Sequence, residues 1–406
     1  MTKILEGKRV VLGVSGSIAA YKMANVASML VKLGADVHVI MTKNAENFIT
    51  PITFETLTGN KCMTDSFETH PDFSVAHISL GQTADVMLVA PASANIIAKM
   101  ANGIADDMLS TTVVAATCKI IVSPAMNTKM YDNPITQDNL KKLEHYGFEL
   151  IEPDSGVLAC RDEGRGKLPK EETLVNAILR EAAFEKDLEG KKILVSAGAT
   201  MEAIDPVRFI TNHSSGKMGY AIAKMALLRG ADVTLVSANS TEVPFDGINV
   251  IRVKSAQEMF DEIVKIHKDM DYIIKAAAVS DYTPKTVSSV KIKKGEGDSS
   301  IELKRTKDIL DYLGHNRSDG QVVCGFAMET NDLIANASKK LEKKNADMIV
   351  ANSLSEKGAG FKNDTNKVTF LTKKGNEELE LMSKEEVAVK LLDRLKMIET
   401  ERKNEE

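Results

Sequence analysis

Polar residues accompany the apolar runs in the first half of the chain, and their types could bind an anion and move protons. The motif PASAN contains Asn95, and PAMNTKMY contains Asn127. His77 precedes the first of these motifs, and Cys160 lies in the Gly-rich segment GVLACRDEGRGKLP. Amides hydrogen-bond carboxylates, imidazole exchanges protons near neutral pH, and a thiol can donate a proton. A lone histidine or cysteine more often has a structural role, so the structural interpretation stays open beside the functional one.

The second half of the chain carries a different set, in which lysine is prominent. The segment NHSSGKMG begins at Asn212 and precedes a helical pattern, which is typical of an anion site, although the Walker A spacing G-x-x-x-x-G-K-S/T is missing. Lys291 belongs to the run VKIKK, which reads as the first of two short strands around GEGDSS. Lys340 and Lys344 lie four residues apart, where like charges repel and a phosphate would relieve the repulsion. The alternatives are a structural crossover and a solvated surface.

Two repeats of one pattern would position both sets. The stretches EGKRVVLGVSGS (Glu6–Ser17) and EGKKILVSAGAT (Glu189–Thr200) each join a Gly-Lys lead, a β-branched apolar run and a turn of small residues. Each is followed by a helical pattern and by a second apolar run after Gly-Ala-Asp. Strand, small-residue loop, helix and strand form the opening of a doubly wound sheet. The sequence therefore predicts an α/β protein of two tandem Rossmann-like domains, residues 1–187 and 188–406.

The second repeat contains an insertion. The Glu-Gly-Lys starts at residues 6 and 189 are 183 positions apart, but the Gly-Ala-Asp triplets at residues 34 and 230 are 196 apart, so 13 residues are added. They fall within Ala203–Gly219, between the first strand and the first helix. Open α/β sheets bind ligands outside the carboxyl ends of their strands. We therefore expect the insertion to serve function.

Composition excludes several classes of protein. The 406 residues carry a net charge of −5 and include no long basic block, so nucleic acid is not an expected partner. The chain shows neither an apolar leader nor a run of about 18 apolar residues, so we expect a soluble, cytoplasmic protein without a membrane partner. Its 4 cysteines form no C-x-x-C pair, which argues against a zinc ribbon or an iron–sulfur site.

The turn after the first strand suits a phosphate better than a nicotinamide dinucleotide. In GVSGSIAAYK, small residues allow close approach of a ligand, and the next helix begins with free N–H groups. A dinucleotide site would want Asp or Glu at the end of the second strand. That strand ends at Thr42 in the first half and near Ala238 in the second, so NAD is disfavoured in both. Thr42 would suit a phosphate or flavin contact.

The combination of PASAN, PAMN and a cysteine in a Gly-rich segment resembles the flavin-dependent cysteine decarboxylase family, which binds FMN in a flavodoxin-like fold. The linked halves resemble, over essentially the whole chain, the bifunctional phosphopantothenoylcysteine decarboxylase/phosphopantothenate–cysteine ligase family of coenzyme A biosynthesis. This resemblance implies that His77, Asn127 and Cys160 carry the decarboxylation. The residues that it implies for FMN binding are Gly16, Ser17, Thr42, Ser93 and Asn95.

The chemistry of that reaction explains the need for a flavin. The amine of an N-acylated cysteine is tied up in an amide, so no Schiff base can form. A flavin can instead oxidise the thiol to a thioaldehyde, which allows the carboxylate to leave as CO₂, and the enethiolate then regains a proton and a hydride. The resemblance implies that His77 assists the first stage, Asn127 holds the carboxylate and Cys160 supplies a proton at the end.

The second half resembles the ligase of the same family. There a carboxylate reacts with CTP and Mg²⁺ to give an acyl-cytidylate and pyrophosphate, and the cysteine amine then displaces CMP. Asn212 would act on the acyl-nucleotide, Lys291 would be needed to form it, and Asp281 would lie near the metal. The residues implied for CTP binding are Ala277, Ala278, Asp281, Lys291, Lys307, Asp308, Ile309, Leu310, Phe326, Lys340 and Lys344. Residue types alone do not distinguish CTP from ATP.

The resemblance also implies small-molecule partners and an assembly. The partners are 4'-phosphopantothenate, cysteine and CTP, and the assembly is a homo-oligomer, a dodecamer of trimeric decarboxylase and dimeric ligase halves. Two other interpretations stay open. One is a flavin prenyltransferase or another FMN protein joined to an inactive domain, and the other is an FMN-binding regulatory subunit without turnover. Yellow colour separates flavin from nicotinamide, and CTP-dependent pyrophosphate release with cysteine separates enzyme from regulator.

Overall fold

The chain forms two compact units. The computed structural model describes residues 3–66, 76–157, 163–294, 300–329, 332–353 and 363–405. Its contacts divide the chain into residues 1–184 and 185–406, close to the boundary that the second Glu-Gly-Lys start predicts. The helix Glu171–Ala182 precedes the boundary and belongs to the first unit. The sequence alone does not show to which domain this helix belongs.

The first unit alternates strands with helices, as its repeat predicts. In chain order its elements are β1 (Arg9–Val14), α1 (Lys22–Lys32), β2 (Asp36–Met41), α2 (Pro51–Thr58), α3 (Ala76–Thr83), β3 (Val86–Ala92), α4 (Ala94–Asn102), α5 (Met108–Ala115), β4 (Lys119–Pro124), α6 (Thr128–Tyr131), α7 (Pro134–His145), β5 (Glu149–Leu150), β6 (Asp154–Val157), β7 (Glu163–Lys167) and α8 (Glu171–Ala182).

The main sheet of this unit has the strand order β2-β1-β3-β4-β5, and its strands are parallel. Every residue of β3 is buried, because helices cover both faces of such a sheet. The order is that of flavodoxin-like folds, in which the chain reverses direction across the sheet between β1 and β3. The predicted flavodoxin-like fold is confirmed.

Two strands that form a hairpin flank Cys160 along the chain, in and next to its Gly-rich segment. Strands β6 and β7 pair antiparallel, with Gly156 opposite Gly164. The connection between them, residues 158–162, lies outside the described residues, and it includes Cys160. The sequence concealed the hairpin because glycine and charged residues dominate it, and neither type has the β-branched character of a strand.

The second unit repeats the strand–helix alternation and ends with a long helix. Its elements are β8 (Lys192–Ala197), β9 (Met201–Ala203), β10 (Phe209–Thr211), α9 (Lys217–Leu228), β11 (Asp232–Ser237), β12 (Asn249–Arg252), α10 (Ala256–Ile266), β13 (Tyr272–Lys275), β14 (Tyr282–Pro284), β15 (Leu303–Arg305), α11 (Ile309–His315), β16 (Val322–Glu329), α12 (Leu333–Lys343), β17 (Met348–Ser353), β18 (Thr365–Asn366), β19 (Val368–Thr372), β20 (Gly375–Glu378), β21 (Met382–Ser383) and α13 (Lys384–Glu405).

The large sheet of this unit has the order β12-β11-β8-β13-β16-β17-β19-β20. The strands from β12 to β17 are parallel, and β19 and β20 add antiparallel pairs at one edge. Numbered within the unit, the parallel part reads 3-2-1-4-5-6, the Rossmann order, with its reversal between β8 and β13. Two tandem doubly wound sheets are thus confirmed.

The insertion forms the antiparallel hairpin β9–β10, which holds a distant part of the chain. The Asp205 carboxylate accepts a hydrogen bond from the Ile292 N–H at 3.1 Å, and the Arg208 guanidinium donates to the Ile292 carbonyl at 2.9 Å. These side chains take the place of a strand partner, so the prediction of a strand at VKIKK is wrong. The strand β15, which follows GEGDSS, pairs instead with β14.

The charged composition from Lys396 to the end of the chain favours a frayed tail. This expectation is wrong through residue 405, because α13 continues to Glu405. Buried and long-range partners hold this last part of the helix. The buried carboxylate of Glu399 accepts hydrogen bonds from Lys191 at 2.6 Å, from Lys403 at 2.7 Å and from the Tyr272 hydroxyl at 2.6 Å. The contacts with Lys191 and Tyr272 cannot be predicted from the composition of the C-terminal segment, because these partners are distant in sequence.

Across the described parts of the chain, every helix is too short or too polar to cross a membrane.

Glu399 gives a test of this fold. Burial opposes ionisation of Glu399, but hydrogen bonds from Lys191, Lys403 and Tyr272 outweigh it and lower its pKa from 4.5 to about 2. A depressed carboxyl pKa stabilises the folded state above the unfolded pKa, and this contribution is lost as pH falls from about 4.5 towards 2. We expect Glu399→Gln to lower the unfolding free energy of the second unit by about 2 kcal/mol at pH 7.

Differential scanning calorimetry of the full chain at pH 7 and at pH 3 would measure this difference. It should shrink at the lower pH, because the Glu399 carboxyl group of the unfolded chain is protonated at pH 3 while that of the folded protein stays largely ionised. Glu377→Gln, on the exposed strand β20, is the matched control and should change little at either pH. Equal destabilisation by Glu399→Gln at both pH values would contradict the assignment.

Candidate functional sites

The carboxyl edge of the first sheet brings together the loops that the sequence singled out. The Ser15 hydroxyl, directly after β1, donates to the Pro91 carbonyl at 2.7 Å and accepts from the Ser93 N–H at 2.9 Å. The Thr42 N–H, after β2, donates to the Val14 carbonyl at 3.0 Å. Because β1, β2 and β3 are parallel neighbours, these bonds fix three loops around the point where the strand order reverses.

Most of the residues predicted for FMN occupy these loops. Ser17 caps the short 3-10 helix Ile18–Tyr21, and Ser93 caps α4. A Cβ at Gly16 would lie 2.7 Å from the Asn44 side chain, so glycine is required for this close packing. Asn95 is exposed and lies in the first turn of α4. Pro91 and Ala92 end β3, so Ser93 is the one residue of PASAN between the strand and the helix.

Two hydroxyl groups at this edge have unused hydrogen-bonding capacity. Thr42 Oγ1 and Ser123 Oγ are buried, and neither finds a partner among the residues that the structure describes. An unsatisfied buried polar atom costs about 1–3 kcal/mol. Such atoms fit a polar ligand, and a flavin with its ribityl chain and phosphate offers hydroxyl, carbonyl and phosphoryl groups. The residues at this edge therefore fit FMN.

A cavity of about 370 Å³ joins Ser17 to Asn127. Asn127 caps α6, with its side-chain oxygen accepting from the Lys129 N–H at 2.8 Å. The hairpin strand β7 packs beside it, because the Met126 N–H donates to the Gly166 carbonyl at 3.0 Å. A Cβ on Gly166 would lie 2.2 Å from the Met126 carbonyl oxygen, so glycine permits this contact. The hairpin strand β7 thus packs beside the segment of Asn127, while Cys160 lies outside the described residues.

His77 lies in the first turn of α3 and does not line that cavity within the described residues. Its Nδ1 is buried and lacks a hydrogen-bond partner in the described part of the chain. The end of α3 lies near the start of β4, because the Gly81 carbonyl accepts from the Thr117 N–H at 3.0 Å. A helix of eight residues, about 12 Å long, therefore carries His77 away from the amino edge of the sheet.

In the second unit, a cavity of about 480 Å³ gathers residues from the insertion, β13, β16 and α12. Asn212 donates to the Ala278 carbonyl at 3.3 Å, which joins the insertion to the end of β13. Lys340 donates from α12 to the Phe326 carbonyl at 2.9 Å. The predicted residues that line this cavity are Asn212, Ala277, Ala278, Asp281, Phe326 and Lys340.

Unsatisfied polar atoms also mark this second cavity. Asn352 Oδ1 and Asn366 Oδ1 belong to residues of its lining, and both are buried without a hydrogen-bond partner among the described residues. Ser280 Oγ, next to Asp281, is in the same state. Amide and hydroxyl groups of this kind can bind a base, a ribose or an amide of a substrate. The cavity therefore suits a polar organic ligand as well as an anion.

Other predicted nucleotide residues lie outside the lining of this cavity. Lys291 is exposed on the segment held by Asp205 and Arg208. Ile309 and Leu310 are buried in the core of the unit, so their side chains serve packing. Asp308 caps α11, and Lys307 lies over the Phe260 ring with its Nζ 4.5 Å from the centroid.

Lys344 has carboxylate partners that the spacing of Lys340 and Lys344 did not predict. Lys344 forms ion pairs with Asp308 at 2.9 Å and with Asp311 at 3.2 Å, so it joins α12 to the start of α11. The spacing of residues within α12 could not predict these ion pairs, because Asp308 and Asp311 lie at the start of a different helix. A phosphate contact by Lys344 stays a prediction.

Sequence reasoning missed Lys275, the last residue of β13. It lines the cavity, and it is partly buried there beside Lys340. Burial first, and then the positive charge of Lys340, lowers the pKa of Lys275 to about 8, although Asp308 and Asp281 oppose the shift. The only available signal was a lysine closing an apolar strand, YIIK, before the run of alanines.

Comparisons with known proteins match both units. Residues 2–183 match the family described as Flavoprotein, and residues 188–398 match the DNA/pantothenate metabolism flavoprotein C-terminal domain. The chain is 46% identical over 396 residues to the coenzyme A biosynthesis bifunctional protein CoaBC of Bacillus subtilis (strain 168), with 97% of each chain covered. It is 42% identical over 389 residues to the protein of that name from Borreliella burgdorferi, with 95% of this chain and 98% of that protein covered.

The chain also matches a crystal structure of the C-terminal domain of a coenzyme A biosynthesis bifunctional protein CoaBC, with 45% sequence identity and a TM-score of 0.45. The match covers 52% of this chain and 96% of that one. The two family matches and the nearly full-length relatives confirm the family predicted from the motifs. The chain belongs to the bifunctional coenzyme A biosynthesis family, in which a flavoprotein decarboxylase domain precedes a ligase domain.

Proposed function

We propose that the chain runs two consecutive reactions of coenzyme A biosynthesis. The second domain joins cysteine to 4'-phosphopantothenate through an acyl-cytidylate formed with CTP, and the first domain decarboxylates the product to 4'-phosphopantetheine. The observation that carries this proposal is that each domain has its own cavity at the carboxyl edge of its sheet. Ser17 and Asn127 line the first cavity, and Asn212, Asp281 and Lys340 line the second. Membership of the bifunctional family supports the same pair of reactions.

The first domain would hold FMN at the reversal between β1 and β3. We assign the binding to Gly16, Ser17, Thr42, Ser93 and Asn95, supported by the unsatisfied Thr42 hydroxyl. When bound, FMN supplies the two-electron oxidation of the substrate thiol that makes loss of CO₂ possible.

The chain's own residues would orient the substrate and move its protons. Asn127 would donate hydrogen bonds to the departing carboxylate, since its segment borders the cavity that also contains Ser17. His77 would take the thiol proton at Nδ1, which has no partner in the described structure. Cys160 would return a proton to the product, delivered by the hairpin that packs beside Asn127.

In the second domain, Lys291 and Lys340 would help to activate the carboxylate of 4'-phosphopantothenate. A carboxylate is a poor electrophile at neutral pH, so it must first be joined to a nucleotide. Lys291 and Lys340 would stabilise the negative charge that builds on the phosphoryl oxygens. Asp281 would share Mg²⁺ with the triphosphate, because this ion is commonly held by one or two carboxylates together with phosphates. Asn212 would act on the acyl-nucleotide.

The family resemblance also supports a cytoplasmic enzyme that assembles from trimers of the first domain and dimers of the second, giving a dodecamer.

Product analysis tests the whole proposal. Protein supplied with FMN, Mg²⁺, 4'-phosphopantothenate, cysteine and CTP should yield 4'-phosphopantetheine, CO₂, CMP and pyrophosphate. Mass spectrometry of the reaction mixture would identify the phosphopantetheine and the nucleotide products. Protein stripped of FMN should stop at phosphopantothenoylcysteine. Unchanged CTP and phosphopantothenate with the complete mixture would refute the ligase, and accumulation of phosphopantothenoylcysteine despite FMN would refute the decarboxylase. ATP in place of CTP tests the nucleotide preference.

Lys291 and Asn212 should block different stages of ligation. Without the Lys291 charge, the phosphoryl transition state loses its counterion, so Lys291→Gln should abolish acyl-cytidylate formation. Asn212→Asp should instead let the acyl-cytidylate accumulate, detected by mass spectrometry of quenched reactions. Lys293→Gln, two residues along the same exposed segment, is the matched control and should turn over normally. Normal turnover by Lys291→Gln or Asn212→Asp would remove that residue from the proposal.

Gly166 tests whether the hairpin positions Asn127. An alanine methyl at Gly166 must displace the Met126 carbonyl, and so the neighbouring Asn127, because the two atoms would be 2.2 Å apart. We expect kcat/KM of decarboxylation to fall by about 100-fold, the effect of misplacing a catalytic group by about 1 Å. Ligation, measured as pyrophosphate release, should be unchanged.

Gly156→Ala is the matched control for Gly166→Ala. Gly156 lies on the paired strand with a similar φ, +151° against +134°, but a Cβ there would meet nothing within 4 Å. Both variants therefore strain the backbone, and only one pushes on the segment of Asn127. Equal loss of decarboxylation in the two variants would attribute the effect to the hairpin backbone and contradict the positioning role.

A further inference from the structure

The ammonium group of Lys275 stands out among the charges of the second cavity. Lys217 pairs with Asp364 at 2.6 Å, and Lys384 donates to the Asn363 carbonyl at 2.5 Å. Lys340, as described above, donates to Phe326. Lys275 lines the same cavity, yet its ammonium group forms neither a hydrogen bond nor an ion pair with any residue that the structure describes. A partly buried cation without a partner is costly, and its presence indicates that a ligand supplies one.

The position of Lys275 points to a phosphate chain as that ligand. It ends β13, in register with Ser196 on β8 and with Gly325 on β16, so it stands at the carboxyl edge next to the reversal of strand order. Phosphates bind at this place in doubly wound sheets. Lys340 acts on it as a neighbouring like charge, and an anion between the two cations would turn repulsion into attraction.

Other charged groups limit what kind of anion fits. Asp281, in the loop after β13, and Asp308, at the start of α11, act on Lys275 as opposite charges. His213, Lys217 and Lys384 line the cavity from the insertion, α9 and α13. A mixture of lysines and carboxylates suits a polyphosphate carrying a divalent cation, since the lysines meet phosphate oxygens and the carboxylates meet the metal.

We infer that Lys275 binds the phosphate chain of the nucleoside triphosphate together with Lys340, and that it takes up a proton when the nucleotide enters. This inference rests on the proposed ligase function. In the free protein, burial and Lys340 leave Lys275 with a pKa of about 8, so it is partly neutral at the mildly alkaline pH of many assays. A bound polyanion favours the charged form and so raises this pKa. Binding and protonation are therefore linked.

Isothermal titration calorimetry of the full-length, FMN-loaded protein with CTP and Mg²⁺ would measure the linkage. Titrations at pH 8 in two buffers of different ionisation enthalpy give the number of protons taken up, which should be about half a proton per site for a group with a pKa near 8. Between pH 7 and pH 9, the affinity of the wild-type protein should fall about tenfold, because the site must be protonated at a growing cost.

Two substitutions separate this role from a structural one. Lys275→Met should weaken CTP binding about tenfold at pH 7 and abolish proton uptake, because a charge-assisted contact is lost. Lys275→Arg keeps a permanent charge, so it should bind CTP tightly without proton uptake and without the loss of affinity at pH 9. A residue that acted only in folding would not convert the pH profile in this way.

Lys304→Met, on the exposed strand β15, is the matched control and should behave as the wild type in affinity and proton uptake. If the wild-type protein does not bind CTP at all, the proposed ligase function fails. If it binds CTP without taking up protons, or if Lys275→Met still takes them up, the role of Lys275 is overturned and the ligase proposal stands.

Discussion

Both candidate sites depend on one constraint, the reversal of strand order in a parallel sheet. Next to the reversal, the connections of two adjacent strands leave on opposite faces, so no helix covers the gap between their carboxyl ends. In the first unit this gap lies between β1 and β3, and in the second between β8 and β13. The loops that border it are held by backbone and hydroxyl hydrogen bonds, such as that from the Ser93 N–H to Ser15. Each sheet therefore holds the loops around its candidate site in place through the protein's own hydrogen bonds.

Unpaired polar atoms at the two candidate sites lower the stability of the protein when no ligand is bound. Thr42 in the first unit and Asn352 in the second each bury an oxygen without a partner among the described residues. Each such group costs about 1–3 kcal/mol, against a total stability of only about 5–15 kcal/mol for a typical domain. Buried polar groups away from the sites, such as Glu399, are paired, so the unpaired oxygens at the two sites are best explained by a ligand that would hydrogen-bond them.

The sequence predicted the elements whose signals are local and missed those that depend on distant partners. The paired repeats predicted both sheets, and the buried run Tyr272–Lys275 forms a strand with those bounds, because apolar periodicity reports burial directly. VKIKK also has the composition of a strand, but Asp205 and Arg208, some 80 residues earlier, occupy the backbone of Ile292. The tail after Lys396 looks too charged to order, yet α13 continues there because Glu399 reaches Tyr272.

The same limit explains why the acidic partners of Lys344 and the position of Lys275 could not be predicted from sequence spacing. Two lysines four residues apart share a helix face, but the acids that neutralise Lys344 come from α11. Lys340 acts as a like charge on Lys275, which ends β13 and is far away in sequence. Parallel sheets collect functional side chains from the ends of successive strands, so the cation pairs that face a ligand are drawn from different elements. In such folds, the charges that matter are found by asking which strands end together, and helix periodicity is the weaker guide.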